Sequence, residues 1–405
     1  MATVNPLRAA DVRQRNEKIV LRLVYSSRER GLSQSEVVQA TGLKPPTIFR
    51  IFSFLEEAGY IEPVERALPV QGDDEVRQER KGRRPQAYIA RKETFYSIGV
   101  EFWVERVSLG IFDFLGNSVY STMVPLTREE DAEAVVGLIS RLVEDAIASL
   151  HLAKDSILGL GLGAPGQVSV GIREVVYYPR IPGMKDFPIA ARLEESLGIP
   201  VSIHNNCSII AQSEFRYGGL GDEDSMFMFL LRAWVNGAFV DGGRVFLSPR
   251  GTTIEMGHIS IDYDGPPCVC GAKGCLEAYM TALDKGDLGE GRWLFEGLGD
   301  LALGCAACVS DGQGGMMDGS EALDLAARYL ASAVQTVSRL FRPSSFLFVA
   351  YSAALANELA RRVGEVLAAA PSSFDEVRPR FIGRAYDPSL AQKGAADLVV
   401  DAFLS

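Results

Sequence analysis

The segment GHISIDYDGPPCVCGAKGCLE, from Gly257 to Glu277, gathers one of the three histidines and three of the six cysteines of a 405-residue chain. Thiolate and imidazole are the ligands a structural zinc takes, four of them in a tetrahedron. His258, Cys268, Cys270 and Cys275 supply that number. Gly271 and Gly274 let the chain turn tightly between the last two thiols, and Pro266 and Pro267 stiffen the approach. Four protein ligands leave no open position, so the metal expected here is a structural Zn2+. The alternative is three reduced, unliganded thiols in a glycine-rich loop. Cys305 and Cys308 lie among small residues with no histidine nearby and read as two buried thiols.

Composition limits where such a chain works. It is 47% hydrophobic and 23% charged, as globular chains are, and long enough for two or three domains. Residues 1–20 are polar and show no leader, and no apolar run approaches the roughly 18 residues that span a bilayer. Few cysteines and no leader predict a cytoplasmic chain with reduced thiols. The net charge of −11 is uneven: residues 1–94 are net +4 and residues 95–405 net −15. Only the front is suited to meet a polyanion.

That front predicts a winged helix-turn-helix over 1–72. Residues 12–30 place Ile19, Leu21, Leu23 and Val24 at helical spacing, and Gly31 stops the helix. Ser33 followed by Glu36 is a capping box. A turn at Gly42 leads to KPPTIFRIFSFLEEAG, with prolines suited to a first turn and Ile48, Ile51, Phe52 and Leu55 as the buried stripe. Lys44, Thr47 and Arg50 are then placed to face a major groove. A helical oligomerisation bundle is the alternative. YIEPVERALPV, 60–70, reads as a β-ribbon. Residues 73–94 read as a basic wing or linker, in which Lys81, Arg83 and Arg84 of KGRRP can lie in a minor groove or form a solvated charge run.

Beyond residue 95, strands and helices alternate. A β-rich meander follows Tyr96, a helix covers DAEAVVGLISRLVEDAIASL, and a strand runs into GAPGQV. Strand–helix IPVSIHNNCSIIAQSEFRYGG comes next, and late helices at 321–340 and 355–369 flank FLFVA. This alternation predicts an α/β fold in two lobes.

Several motifs together resemble the ROK family of bacterial repressors and sugar kinases: GHISIDYDGPPCVCGAKGCLE, TIEMGH at 253–258, IHNN at 203–206, GAPGQV at 163–168, and the front end with KGRRP. The resemblance covers nearly the whole chain, least over 281–320. It implies an actin-like, ribonuclease H-like sugar-kinase fold at 95–405, with lobe one about 95–205 plus 386–405 and lobe two about 206–385. It also implies a hexose held by Gly166, Gln167, Asn205, Asn206, Glu255, His258 and Glu277. A local salt bridge or cap is the alternative for the two glutamates.

The departures bear on activity. The family's kinases use the aspartate of an Asn-Asp pair as base; here Asn206 stands in its place, and an amide cannot accept a proton at neutral pH. The phosphate loop D-x-G-G-T corresponds to Glu101–Glu105, with Trp103 and Val104 at the glycine places. The second phosphate loop reads Leu231–Gly237, and the late Gly-Gly reads Ala350-Tyr351-Ser352. The expectation is a non-enzyme: a sugar-responsive regulator, most simply a repressor, binding a two-fold DNA operator as a homodimer or higher homo-oligomer, with no membrane partner. A protein-controlled regulator with a degenerate sugar site, or an atypical kinase with a regulatory domain, are the alternatives.

Overall fold

The computed structural model describes residues 9–64, 86–127, 130–220, 223–232, 234–248, 252–283, 294–295, 308–310, 316–369 and 379–405. The chain opens with α1 (Ala9–Ser26), β1 (Leu32–Ser33), α2 (Gln34–Thr41), α3 (Pro45–Glu57), β2 (Ile61–Val64) and β3 (Ala87–Ala90). The Ser33–Glu36 capping box is formed in both directions, and Gly42 turns in the left-handed region at φ 68°. Pro45 and Pro46 open α3, whose buried residues are Ile48, Ile51, Phe52 and Leu55.

Two details differ from the pattern read in sequence. The buried face of α1 is Val20, Leu21 and Val24, whereas Ile19 stays 39% exposed. The core approaches α1 along a narrower stripe than its apolar residues outline. And β3 falls inside the stretch read as a linker: it is the central strand of the antiparallel sheet β1-β3-β2. Tyr88 on β3 meets Phe52 of α3 edge-on at 5.1 Å.

The body is two sheets of one design. In the first, β4 (Tyr96–Phe102), β5 (Arg106–Asp113) and β6 (Ser118–Pro125) form an antiparallel meander. Helix α4 (Ala132–Ser149) leads to β7 (Ile157–Ala164), parallel to β4. A small antiparallel sheet of β8 (Gln167–Ser169), β9 (Glu174–Tyr177) and β10 (Lys185–Phe187) follows. Then α5 (Ile189–Leu197) enters β11 (Val201–Asn205), parallel to β7.

After α6 (Asn206–Tyr217) the plan repeats. β12 (Ser225–Leu231), β13 (Val235–Asp241) and β14 (Arg244–Val245) are antiparallel. Then come α7 (Leu276–Ala282), the short pair β15 (Cys308–Ser310) and β16 (Met316–Asp318), and α8 (Gly319–Phe341). β17 (Ser345–Ala350) lies parallel to β12, and after α9 (Ala353–Ala369) β18 (Arg380–Ala385) lies parallel to β17. The orders β11-β7-β4-β5-β6 and β14-β13-β12-β17-β18 are the same topology twice. Cys308 lies in β15; Cys305 is outside the described residues.

Helix α10 (Pro388–Phe403) closes the chain and lies with α6 between the two sheets. It sits on backbone: a Cβ at Gly99 or Gly161 would stand 1.8 Å from the Gln392 carbonyl oxygen or 1.7 Å from that of Ala395. Its far end joins the front unit formed by α1–α3 and β1–β3. Phe403 packs against Phe95 at 5.3 Å, Phe95 stacks on Tyr60 at 5.3 Å, and Tyr25 meets Phe114 at 5.2 Å. Val400 and Leu404 share one core with α1 and α3. The front unit is therefore packed onto lobe one rather than joined by a tether alone.

Candidate ligand cavity, metal centre and nucleic-acid interface

The loop before α7 folds on itself by local bonds. Cys268 N–H donates to the Ala272 carbonyl at 2.8 Å, and isolated bridges join Pro267 to Lys273 and Ser260 to Cys275. Gly274, at φ 67°, has no room for a side chain, since a Cβ would meet the Asp262 carbonyl oxygen at 1.5 Å. Ligand atoms of His258, Cys268, Cys270 and Cys275 lie within 4.8 Å of one another. The Cys270 and Cys275 sulfurs are 3.7 Å apart, and the Cys268 sulfur is 3.6 Å from His258 Nδ1. A tetrahedron with bonds of about 2.3 Å to sulfur and about 2.0–2.1 Å to nitrogen has S–S edges of about 3.8 Å and S–N edges of about 3.6 Å. The donor set and spacing can therefore hold a metal ion. Held through Nδ1, His258 keeps Nε2 as its second polar atom.

His258 also lines a cavity of about 620 Å³ in the cleft between the lobes. Gly166, Gln167, Asn205, Asn206, Glu255 and Glu277 line the same cavity, so one space brings together the residues read from four separate motifs. Glu277 is the second residue of α7, two positions after the last thiol, which fixes it relative to His258. Among the described residues, neither Glu255 nor Glu277 makes an ion pair. Burial raises both carboxyls, and for Glu277 burial together with the Glu255 charge pushes the value up to about 7, against the opposing pull of the Val235 N–H and Arg180.

The two asparagines are not alike. Asn205 ends β11 and caps α6: its Oδ1 accepts Cys207 N–H at 2.8 Å, and its Nδ2 donates to the Gly166 carbonyl at 2.7 Å. It therefore holds the Gly166 loop in place. Asn206 donates through Nδ2 to the Phe102 carbonyl at 2.9 Å, and its buried Oδ1 has no hydrogen-bond partner among the described residues. That bond requires an N–H; a carboxylate in its place would meet the Phe102 oxygen with like charge.

A buried cluster fills the region read as phosphate loops. The Arg232 guanidinium pairs with Glu105 and lies over the Trp103 ring at 4.2 Å. Arg106 lies over Tyr386 at 5.3 Å, and the Tyr386 hydroxyl donates to Glu101. Burial raises the Glu101 carboxyl, opposed by Tyr386 and the two arginines. Glu101, Trp103, Glu105 and Arg106 come from lobe one; Arg232 directly follows β12 of lobe two. The charge of Glu105, at the end of the stretch that corresponds to the phosphate loop, is matched by an arginine 127 positions later. Ser352 Oγ accepts Leu355 N–H at the start of α9, and Ala350 is fully buried.

Sequence reasoning did not assign Trp234, Arg180 and Tyr178, which also line the cavity. Arg180 lies over the Trp234 ring at 4.6 Å and Tyr178 meets that ring edge-on at 6.3 Å. Scarce tryptophan was the available signal.

In the front unit, Lys44 and Arg50 are exposed and Thr47 is half-buried. Lys81, Arg83 and Arg84 lie outside the described residues; Val64 and Ala87 are cross-strand partners in the β2–β3 pair. Among the described residues no helix is long and apolar enough to cross a membrane.

Comparison with known proteins agrees with this geometry. The chain is 21% identical over 270 residues to the xylose repressor of Bacillus subtilis (strain 168), covering 67% of this chain and 66% of that one. It is 28% identical over 186 residues to a glucokinase of Halalkalibacterium halodurans, covering 46% and 56%. The chain thus spans less than two thirds of the length of these curated relatives. A crystal structure of a ROK family transcriptional regulator, a homologue of the E. coli MLC protein, superposes with a TM-score of 0.75 at 18% identity, over 97% of this chain and 98% of that one. The description of the ROK family matches residues 97–402, more than half of the chain, and on that match the protein belongs to the ROK family.

Proposed function

We propose that the protein is a carbohydrate-responsive, DNA-binding transcriptional regulator that acts as a repressor, and that it has lost phosphoryl transfer. The observation that carries this reading is helix α10. It starts beside Tyr386, in the cluster under the cleft, and ends on Phe403, in the aromatic core of the DNA unit. A ligand that closes the cleft changes what α10 rests on at one end and so biases the helix-turn-helix at the other. By linkage, a sugar that prefers the closed form weakens DNA binding if DNA prefers the open one.

In this reading Gly166, Gln167, Asn205, Asn206, Glu255, His258 and Glu277 form the sugar site, with Asn205 acting largely through the Gly166 loop. A structural Zn2+ held by His258, Cys268, Cys270 and Cys275 fixes His258 and Glu277 for sugar hydroxyls. Lys44, Thr47 and Arg50 read the major groove, and Lys81, Arg83 and Arg84 reach the backbone or minor groove. In this reading 1–72 is the winged helix-turn-helix, 73–94 the basic wing or linker, whose β3 pairs into the sheet of the DNA unit, and 95–405 the sugar-binding domain. A homodimer matches two-fold operators. Loss of kinase activity is supported by an amide at the base position bonded to Phe102, and by Trp103 and the Arg232–Glu105 pair where glycines would admit phosphates.

The test is DNA binding to the gene's own upstream region at fixed salt, followed by fluorescence anisotropy with and without each of a panel of sugars and sugar phosphates. One sugar should lower affinity at least tenfold, and Arg50→Ala should abolish sequence preference. An unchanged affinity across the panel refutes the sugar-responsive reading. A second reading, control by a protein partner, is favoured by Tyr263 and Val269, 89% and 83% exposed on the metal loop. Titration calorimetry separates the two: no heat with any sugar supports the partner.

A further inference from the structure

The outward face of α3 carries an apolar ring that neither packing nor charge explains. Ile48, Ile51, Phe52 and Leu55 face the core. Helical periodicity turns Pro46, Phe49 and Arg50 the other way, and all three are exposed. Phe49 is 60% exposed. Among the described residues it joins neither the core of the DNA unit nor any ring pair. The second exposed phenylalanine of this helix, Phe54, is only partly open, at 38%: Arg13 lies over it at 5.8 Å and Tyr60 meets it at 6.5 Å. Phe49 has no such cover.

Its position is informative. It is the fifth residue of the second helix of the helix-turn-helix, and the first two turns of that helix enter the major groove. Helical side chains lean toward the helix N-terminus, so the ring lies over the turn begun by Pro45 and Pro46. Lys44 and Arg50 flank it with cations that suit phosphates and guanine edges. The apolar group that a major groove presents is the C5-methyl of thymine.

We propose that Phe49 is a specificity-determining residue that packs against a thymine methyl in each half-site, beside the base pair read by Arg50. This rests on the DNA-binding reading given above, and the test keeps the two apart. Full-length protein, wild type and Phe49→Ala, is used to select sequences from a randomised duplex library. The wild type should enrich a T·A pair at a fixed position next to the base pair whose preference disappears in Arg50→Ala. Phe49→Ala should keep the rest of the consensus and lose that thymine. Replacing the thymine by deoxyuridine removes only the methyl, which should weaken wild-type binding by about fourfold per half-site and leave Phe49→Ala unaffected. Phe49→Leu, which keeps an apolar contact, should retain sensitivity to deoxyuridine.

The assignment is overturned if Phe49→Ala selects the same thymine, or if wild type binds the deoxyuridine duplex equally well. It is also overturned if Phe49→Ala changes the oligomeric state while the consensus stays intact, because the ring then serves a protein contact. A wild-type protein that binds the library without selecting any sequence overturns the DNA reading itself.

Discussion

His204 offers a way to weigh one buried group next to Asn205, which lines the cavity. It lies in β11, 6% exposed, and its Nδ1 accepts the Asn205 N–H at 2.9 Å. Burial lowers its value from the ordinary 6.5 to about 4. The unfolded chain takes up a proton at about 6.5 and the folded chain does not until about 4, so between these values the unfolded state binds more protons. Stability is therefore fully present above pH 6.5 and is lost as pH falls through the window. With these two values the loss is about 1.4 kcal/mol at pH 5.5 and about 3 kcal/mol at pH 4. Protonation would also place a donor against the Asn205 N–H and loosen the residue that caps α6 and holds Gly166. The assay is urea unfolding of wild type and His204→Gln at pH 7.5, 6.5, 5.5 and 4.5, comparing how far each midpoint falls with pH. Other carboxylates and the metal centre titrate in both proteins, so the difference between the two slopes isolates His204. The wild-type midpoint should fall more steeply below pH 6.5. Parallel curves refute the reasoning.

Other substitutions test the remaining parts. Cys275→Ser, at a fully buried thiol, should abolish stoichiometric zinc by elemental analysis and remove sugar binding by calorimetry, while DNA binding without sugar persists. Arg232→Met leaves Glu105 and Glu101 without their shared cation and should cost about 3–5 kcal/mol, with part recovered in the double variant with Glu105→Gln; a zero coupling term in that cycle would mean the pair does not bridge the lobes. Phe403→Ala should leave sugar affinity unchanged but shrink the effect of sugar on DNA affinity, and an intact response removes α10 from the coupling route. Asn206→Asp should yield no hexose-dependent nucleotide consumption, because the phosphate region stays filled by Trp103 and Arg232; measurable turnover would show that the base alone had been missing.

Much of this protein was legible along the chain because the determinants are local. The four metal ligands lie within 18 positions, the capping box within four, and the stripe of α3 within eight. Short spacings fix mutual position through backbone geometry, and periodicity reports which face is buried. The α/β class followed from alternation, and the family motifs named the cavity residues before any cavity was visible. Only the tertiary structure decided the rest. It paired Arg232 with Glu105 and Tyr386 with Glu101, turned Asn205 into a cap, made Ile19 exposed where α1 suggested burial, and laid Gly99 and Gly161 under α10. It also repeated one sheet topology twice without repeating a sequence. The Arg232–Glu105 pair, the Tyr386–Glu101 bond and the seat of α10 on Gly99 and Gly161 join residues more than 100 and up to nearly 300 positions apart, where charge or ring type says that a partner is needed but not which one. The identity of a long-range partner is set by how whole elements pack, and a linear pattern carries no record of that.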